Sequence, residues 1–453
     1  MGVRFPEKKC YLRITMHIIL LSGGSGKRLW PLSNEIRSKQ FIKIFRDPQG
    51  GGYESMVQRV YRQIKQADPQ ATVTIATSKS QVSQIHNQLG GQVGISVEPC
   101  RRDTFPAIAL ATAYLHDVQG VGLEEPVVVC PVDPYVDDSY FSAVRRLSEL
   151  AAEGEANLTL MGIDPAYPSD RYGYILPTTQ AEVSTVESFK EKPDTQTAAK
   201  YIEQGGLWNG GVFAYKLGYV LGRAHELIDF TDYSDLFANY GSLTKISFDY
   251  AVVEHEHDIA VLRYRGAWKD LGTWETLTEA MEENTVGRVR LVGCENVHAI
   301  NELSIPILAV GMKDAVISAS PDGILVSDKR HSSGIKSHVD EIDQQIMYAE
   351  KSWGEYHVLD AGPKGLTVKV TLRPGQRMNY HSHERRDEIW TVISGRGITV
   401  VDGMEQPVRP GDVVTMAAGC KHTIIAETEL QLIEVQLGED ISVFDKHKYE
   451  LER

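Results

Sequence analysis

At 453 residues, 42% hydrophobic and 24% charged, the chain has the makeup of a soluble globular protein too long for one ordinary core, and two or three domains are expected. A formal net charge of −14 argues against the basic footprint that nucleic-acid binding needs, so phosphorylated substrates must be met by local cations. The five cysteines are odd in number, scattered and without Cys-x-x-Cys spacing, which reads as reduced thiols in a cytoplasmic protein.

Residues 1–15 carry basic side chains but no long apolar stretch; they fit neither a secretory signal nor a membrane span and are read as an N-terminal extension. Met16 is expected to begin the first strand. The run Ile18-Ile19-Leu20-Leu21 leads into Ser22-Gly23-Gly24-Ser25-Gly26-Lys27-Arg28-Leu29-Trp30-Pro31-Leu32, with Lys39-Gln40 a short way on. Glycine accepts backbone angles closed to other residues, so Ser22, Gly23, Gly24, Gly26 and Lys27 form a candidate phosphate cradle, and Arg28 and Lys39 supply positive charge. From residue 16 to about 286, apolar β-branched runs such as 73–76 and 127–130 alternate with helical segments such as 107–115. This is the pattern of a doubly wound, Rossmann-like α/β sheet, whose ligands sit at the carboxyl ends of its strands. Asp133, after Cys130-Pro131-Val132, and Asp270, in Trp268-Lys269-Asp270-Leu271-Gly272, are expected at such ends and are candidate Mg²⁺ ligands. The glutamine-rich stretch 81–92 reads as a solvated helix face. Residues 287–345 hold brief strands such as 307–310 and 324–326 and read as a small β connector. From 346 to 453, strands at 367–372, 389–393, 397–401, 413–416 and 430–435, with turns at Pro374-Gly375 and Pro410-Gly411, predict an antiparallel barrel or jelly roll.

The segment from Gly23 through Lys39-Gln40-Phe41 resembles the signature of sugar-nucleotidyltransferases, specifically mannose-1-phosphate guanylyltransferases. It differs from a Walker A loop, because no Gly-Lys-Ser/Thr closes it. The family usually has Thr at Lys27, a change that implies an added positive charge beside the phosphates. The resemblance runs through essentially all of residues 16–283. It implies that Glu98, Arg102 and Thr104, in Glu98-Pro99-Cys100-Arg101-Arg102-Asp103-Thr104-Phe105, lie beside the guanine, although the family usually has Asn at Asp103 and a small residue at Phe105. It also implies that Gly173, in Tyr172-Gly173-Tyr174-Ile175, meets the hexose. In Phe189-Lys190-Glu191-Lys192-Pro193, Lys192 would hold the sugar phosphate and Glu191 would accept hydroxyl hydrogen bonds. Asn209, in Trp208-Asn209-Gly210-Gly211, and Asp249, in Ser247-Phe248-Asp249-Tyr250, complete that pocket. Pro134 stands where the family commonly has His. The implied reaction joins GTP and mannose 1-phosphate into GDP-mannose and pyrophosphate, with Mg²⁺ on Asp133 and Asp270 and with Arg28, Lys39 and Lys192 neutralising charge. Asp103 and Phe105 leave another base or another sugar 1-phosphate open as the alternative.

Gly375, five residues, His381-Ser382-His383, four residues, Glu388, six residues and Gly395 match the first cupin motif, and Gly411 through Gly419 to His422 matches most of the second. Histidines on alternate strand positions share a face, so His381, His383, Glu388 and His422 form a candidate site for a divalent transition metal, Zn²⁺ or similar. Ser352-Trp353-Gly354-Glu355-Tyr356, Asp387-Glu388-Ile389-Trp390 and Leu432-Ile433-Glu434-Val435-Gln436 resemble the type II phosphomannose isomerase module. That resemblance implies interconversion of mannose 6-phosphate and fructose 6-phosphate; a non-catalytic metal- or sugar-binding module is the alternative. His381 stands where that family has Gln, and Ile389, expected to face the pocket, where it has His. Arg373, Arg385 and Arg386 are candidate phosphate holders. No nucleic-acid or membrane partner is expected, and a homodimer is.

Overall fold

A computed structural model describes residues 15–24, 27–342, 345–439, 441 and 445–451. Ser25, Gly26 and nearly all of the N-terminal extension lie outside the described residues. The chain divides into two compact units: Met1–Gly24, Gln40–Val82 and Gln88–Gly272 form the first, and Ser25–Lys39, Ser83–Asn87 and Thr273–Arg453 form the second.

In the first unit His17–Leu21, apolar on both faces, pairs in parallel with Thr72–Ser78 on one side and Pro126–Pro131 on the other. Strand order reverses at this point, because Gly94–Glu98 extends the sheet beyond Thr72–Ser78 while later strands add beyond Pro126–Pro131. A doubly wound sheet opens a crevice at such a point, beyond the carboxyl ends of the strands. The sheet is mixed rather than wholly parallel: Leu207–Lys216 runs antiparallel between Pro126–Pro131 and Leu158–Ile163. Ile259–Tyr264, Val183–Lys190 and Tyr174–Pro177 complete its nine strands. The helix Thr104–Ala113 is buried at every position from Phe105 on and seals one face with Ile108, Ala111 and Phe213. Ser139–Glu153 covers part of the sheet with Tyr140, Val144 and Leu147, and ends at Gly154, whose φ of 70° suits a residue without Cβ.

In the second unit the connector is a small stack of parallel strands. Val289–Val292 pairs with Ile307–Val310, and Thr285–Val286, His298–Asn301 and Ala315–Ser320 pair in sequence, with Gly323–Asp328 closing antiparallel. Val297, Ala299, Ala309, Ala315 and Ile317 fill it. Beyond it, a six-stranded and a five-stranded antiparallel sheet enclose a core of Val370, Leu372, Trp390, Val392, Ile424 and Leu432, which is the expected jelly roll. Among the described residues no helix is long and apolar enough to cross a membrane.

Candidate functional site

The mouth of the glycine-rich loop is fixed by the sheet. Ser22 N–H donates to Ala76 O at 2.9 Å, and Val132 N–H donates to Leu21 O at 3.2 Å. Asp133 thus begins immediately beyond the loop's own strand end. Pro134–Val136 then pairs antiparallel with Trp268–Asp270, in a register that sets Asp270 opposite Pro134. The aspartate positions 133 and 270, far apart in sequence, are thereby brought to neighbouring strand ends. Oxygen donors of this kind suit Mg²⁺, which is bound by one or two carboxylates together with substrate phosphates. Arg28, exposed on the short turn Lys27–Leu29, and Lys39 lie on the segment that belongs to the second unit.

Glu98 ends its strand and accepts a hydrogen bond from the Tyr240 hydroxyl at 2.8 Å; burial raises its pKa against that bond and the charge of Arg101. Arg101 Nη2 donates to Gly24 O at 3.4 Å, which brings this segment to the loop mouth. Asp103 combines φ of 70° with ψ of −173°, backbone angles that are almost confined to glycine, and its carboxylate caps Thr104 N–H at 2.8 Å. Phe105 is buried in the core, and the Thr104 hydroxyl accepts the Phe248 N–H at 2.8 Å. The Arg102 guanidinium donates to Gly241 O.

The expected hexose residues come together. Asn209 N–H donates to Gly173 O at 2.8 Å, Asn209 Nδ2 donates to Asp249 Oδ1 at 2.7 Å, and Gly211 N–H donates to Asn209 Oδ1 at 3.1 Å. A Cβ on Gly173 would come within 2.5 Å of Glu191 Oε2, so the glycine is what admits this carboxylate. Lys192 Nζ lies 2.5 Å from Glu191 Oε1. Burial opposes the lysine's charge, but its bond to Glu191 and that residue's charge outweigh it and raise its pKa. Burial, then the charge of Glu191, push Asp249 up to about 6 despite the bond from Asn209.

That shift has a sign. With a folded pKa above its ordinary value, ionised Asp249 costs stability above pH 6, and the cost fades as pH falls and the folded form takes up its proton. Asp249→Asn, which keeps an acceptor for Asn209 Nδ2, is expected to be more stable than the parent by about 1–2 kcal/mol at pH 8, discounting for partial exposure, and no more stable at pH 4. Thermal unfolding at the two pH values checks this; equal differences at both would refute it.

Four aromatic rings join the hexose loops to the carboxylates. Tyr172, beside Gly173, lies 4.9 Å from Trp208 and 5.5 Å from Trp268; Trp208, beside Asn209, lies 6.3 Å from Trp268 and 5.0 Å from Tyr167. Trp268 shares the short strand of Asp270.

In the jelly roll His381, His383, Glu388 and His422 are all 2–3% exposed, and each offers a ligand atom within 4.8 Å of the others. His381 pairs with His422 across the strands, and His383 follows one residue beyond the strand His381–Ser382. Nδ1 of His381 meets Asn379 O at 2.6 Å, that of His422 meets Cys420 O at 3.0 Å, and that of His383 meets Asp445 O. A carbonyl only accepts, so each Nδ1 carries the proton and each Nε2 presents a lone pair. This is the outer-shell arrangement of metal-ligating histidines. Glu388 Oε2 and His422 Nε2 make no hydrogen bond and face each other at 3.1 Å. Burial, chiefly, brings His381 down to about 2, which keeps its imidazole neutral. The donor set fits a transition metal. Arg386 reaches two of the same residues, donating from Nε to Glu388 Oε1 at 3.2 Å and lying 3.1 Å from His383 Nε2 through Nη2. A metal there requires Arg386 to turn away, and Asp445, 4.0 Å from Nη1, is at hand to receive it. Arg373 is engaged by the Asn87 side chain and Lys351 O. Ile389 does not face the interior: side chains alternate along Arg386–Ser394, and the inward positions are Arg386, Glu388, Trp390 and Val392.

A profile of the nucleotidyl transferase family matches residues 17–286, well over half of the chain. The chain belongs to the nucleotidyl transferase family. A cupin domain profile matches residues 368–436. Xanthan biosynthesis protein XanB of Xanthomonas campestris pv. campestris is 30% identical, over 95% of this chain and 97% of its own length. A mannose-1-phosphate guanylyltransferase of Escherichia coli K12 is 27% identical, over 93% and 95% respectively. The crystal structure described as mannose-1-phosphate geranyltransferase from Thermus thermophilus superposes with a TM-score of 0.60 at 26% identity, covering 72% of this chain and 99% of that one.

Two features of this nucleotidyl transferase are absent from the sequence reading. Gln81 and Gln84 are buried, not solvated. Gln81 Oε1 accepts the Thr77 hydroxyl at 2.7 Å and the Ser22 hydroxyl at 3.4 Å, and Gln40 Nε2 donates to Ser22 Oγ at 3.0 Å. This buried amide network holds the residue that opens the glycine-rich loop. The aromatic cluster is the second; its members stood beside the motif residues, but nothing in their spacing shows that the rings meet.

Proposed function

We propose that this enzyme transfers GMP from GTP to mannose 1-phosphate, giving GDP-mannose and pyrophosphate. The observation that carries it is the aromatic bridge from the Gly173, Glu191, Asn209 and Asp249 pocket to the strand of Asp270, which supports a hexose phosphate lying beside the metal carboxylates. The names and near full-length coverage of the relatives support the choice of base and sugar. Glu191, Asn209 and Asp249 would bind the sugar hydroxyls, and Lys192 would hold its phosphate. That phosphate's oxygen attacks the α-phosphorus of GTP while the bond to the β-phosphate oxygen breaks and pyrophosphate leaves. The amides of Ser22, Gly23, Gly24 and Gly26 would cradle the triphosphate, Arg28 and Lys39 would neutralise it, and Glu98, Arg102 and Thr104 would take the base. Bound by Asp133 and Asp270, Mg²⁺ would offset the charge developing on the phosphates. The decisive experiment measures pyrophosphate release with mannose 1-phosphate, Mg²⁺ and each nucleoside triphosphate in turn. GTP is expected to be preferred; a preference for UTP or TTP would sink the guanylyl assignment.

The buried histidine and glutamate cluster favours a second reading for residues 346–453. His381, His383, Glu388 and His422 would hold a divalent transition metal, Zn²⁺ or similar, which when bound polarises carbonyl and hydroxyl oxygens. The module would interconvert mannose 6-phosphate and fructose 6-phosphate. Residues 16–286, 287–345 and 346–453 would then act as transferase, connector and isomerase.

A further inference from the structure

The second unit contains both the segment 25–39 and the connector, and the two are fastened repeatedly. Arg37 makes two hydrogen bonds of 2.8 Å to the Glu302 carboxylate. Asn34 Nδ2 donates to Asp322 Oδ2 at 2.6 Å, Ser320 Oγ donates to Pro31 O at 2.7 Å, and Trp274 Nε1 donates to Trp30 O at 3.1 Å. The Trp30 ring lies against Gly323, where a Cβ would collide with it. These bolts hold residues 30–37. Around Lys27 the packing opens into a cavity of about 240 Å³, lined also by Trp30, Asn34, Asp322, Val339 and Ile342.

Lys27 spans this gap. Its Nζ lies 2.9 Å from Asp340 Oδ1, at the end of the helix Ile335–Asp340, and 3.4 Å from Glu35 Oε1. An ammonium has three donors and one charge, and here two carboxylates take them up. Asp340, the nearer of the two, is also less exposed than Glu35.

We propose that Lys27 is a positioning residue: its ion pair with Asp340 straps the phosphate-binding end of the glycine-rich loop to the connector, in place of the phosphate contact that the residue's position suggests. The strap gives the connector a part in nucleotide binding. It holds the turn that follows the loop's glycines, so its loss is felt in the affinity for the triphosphate rather than in the chemical step. This consequence rests on the guanylyltransferase reading; the strap itself does not.

The test uses the full-length protein with Lys27→Ala, Asp340→Asn, both together, and the exchange of the two residues, Lys27→Asp with Asp340→Lys. Each single variant is expected to raise the KM for GTP about twofold to fivefold, the scale of a partly exposed ion pair, with kcat within about twofold. The double variant is expected to be no worse than the worse single one, and the exchange to recover most of the loss. A loss of more than about tenfold in Lys27→Ala, with Asp340→Asn neutral and no rescue by exchange, would make Lys27 a phosphate ligand and overturn the strap. No change in any variant would overturn it too. Amide hydrogen exchange over residues 27–33, read without substrate, separates the two failures. If the parent turns over no GTP, the guanylyltransferase reading falls, but faster exchange in both single variants and its reversal in the exchange variant would still establish the strap.

Discussion

Asp270→Asn is expected to lower kcat for pyrophosphate release by about 10²–10⁴-fold, the scale of losing a metal's charge stabilisation in a phosphoryl-transfer site. The effect is that large because, on the proposed reading, both carboxylates bind the Mg²⁺ ion, and an amide in place of either would remove a full negative charge from its surroundings; the pairing of Asp270 with Pro134 places the two residues on neighbouring strand ends. Asp133→Asn should do the same, and the double variant should be little worse than either single one, since both act through one ion. Raising Mg²⁺ should recover part of the loss in the single variants and none in the double. The loss should fall on kcat and on the Mg²⁺ requirement, with the Glu191 and Lys192 pocket proposed for mannose 1-phosphate intact. A variant that keeps more than a tenth of the parent rate at ordinary Mg²⁺ would reduce Asp270 to a strand-end turn residue.

What could be read ahead of the structure was set by local periodicity and fixed spacing. The apolar runs ending at Leu21 and Pro131 announced buried strands, and the residues after them were therefore expected at the carboxyl ends of parallel strands, where they are. The spacing of His381, His383, Glu388 and His422 encodes a cluster because side chains alternate along strands, and that geometry is local enough to survive. What could not be read depends on contacts distant in sequence. A strand buried on both faces looks the same whichever way it runs, so the antiparallel entry of Leu207–Lys216 into the sheet has no signature. Three-residue strands such as Trp268–Asp270 are too short to show a period, which hid the register that joins the two aspartates. Gln81 read as solvated because its burial depends on the partners Thr77 and Ser22, not on any local pattern. Ile389 was misplaced by reading a motif column as a direction; strand alternation from Glu388 and Trp390 turns it outward. Lys27 lies 313 residues from Asp340, so no local pattern could show that the two are paired.

His383→Ala in the full-length protein is expected to lose the bound transition metal while GDP-mannose synthesis stays within about twofold of the parent. The physical basis is the tautomer: three backbone carbonyls hold three imidazoles by Nδ1, two of them with Nε2 beside Glu388, and removing one leaves a three-donor set open to Arg386, which already reaches the Glu388 carboxylate. Losing one ligand with its outer-shell partner is expected to weaken metal affinity by at least about 10²-fold, readable as metal content after dialysis against a chelator. His422→Ala should match it, since its Nε2 faces Glu388 as closely as that of His383, at 3.1 against 3.0 Å. If hexose 6-phosphate interconversion is present in the metal-loaded parent, it should vanish in both variants with the metal. A metal-loaded parent with no such interconversion would leave residues 346–453 as a binding module. Loss of GDP-mannose synthesis together with the metal, in a protein that still melts as the parent does, would instead mean that the metal centre governs the transferase.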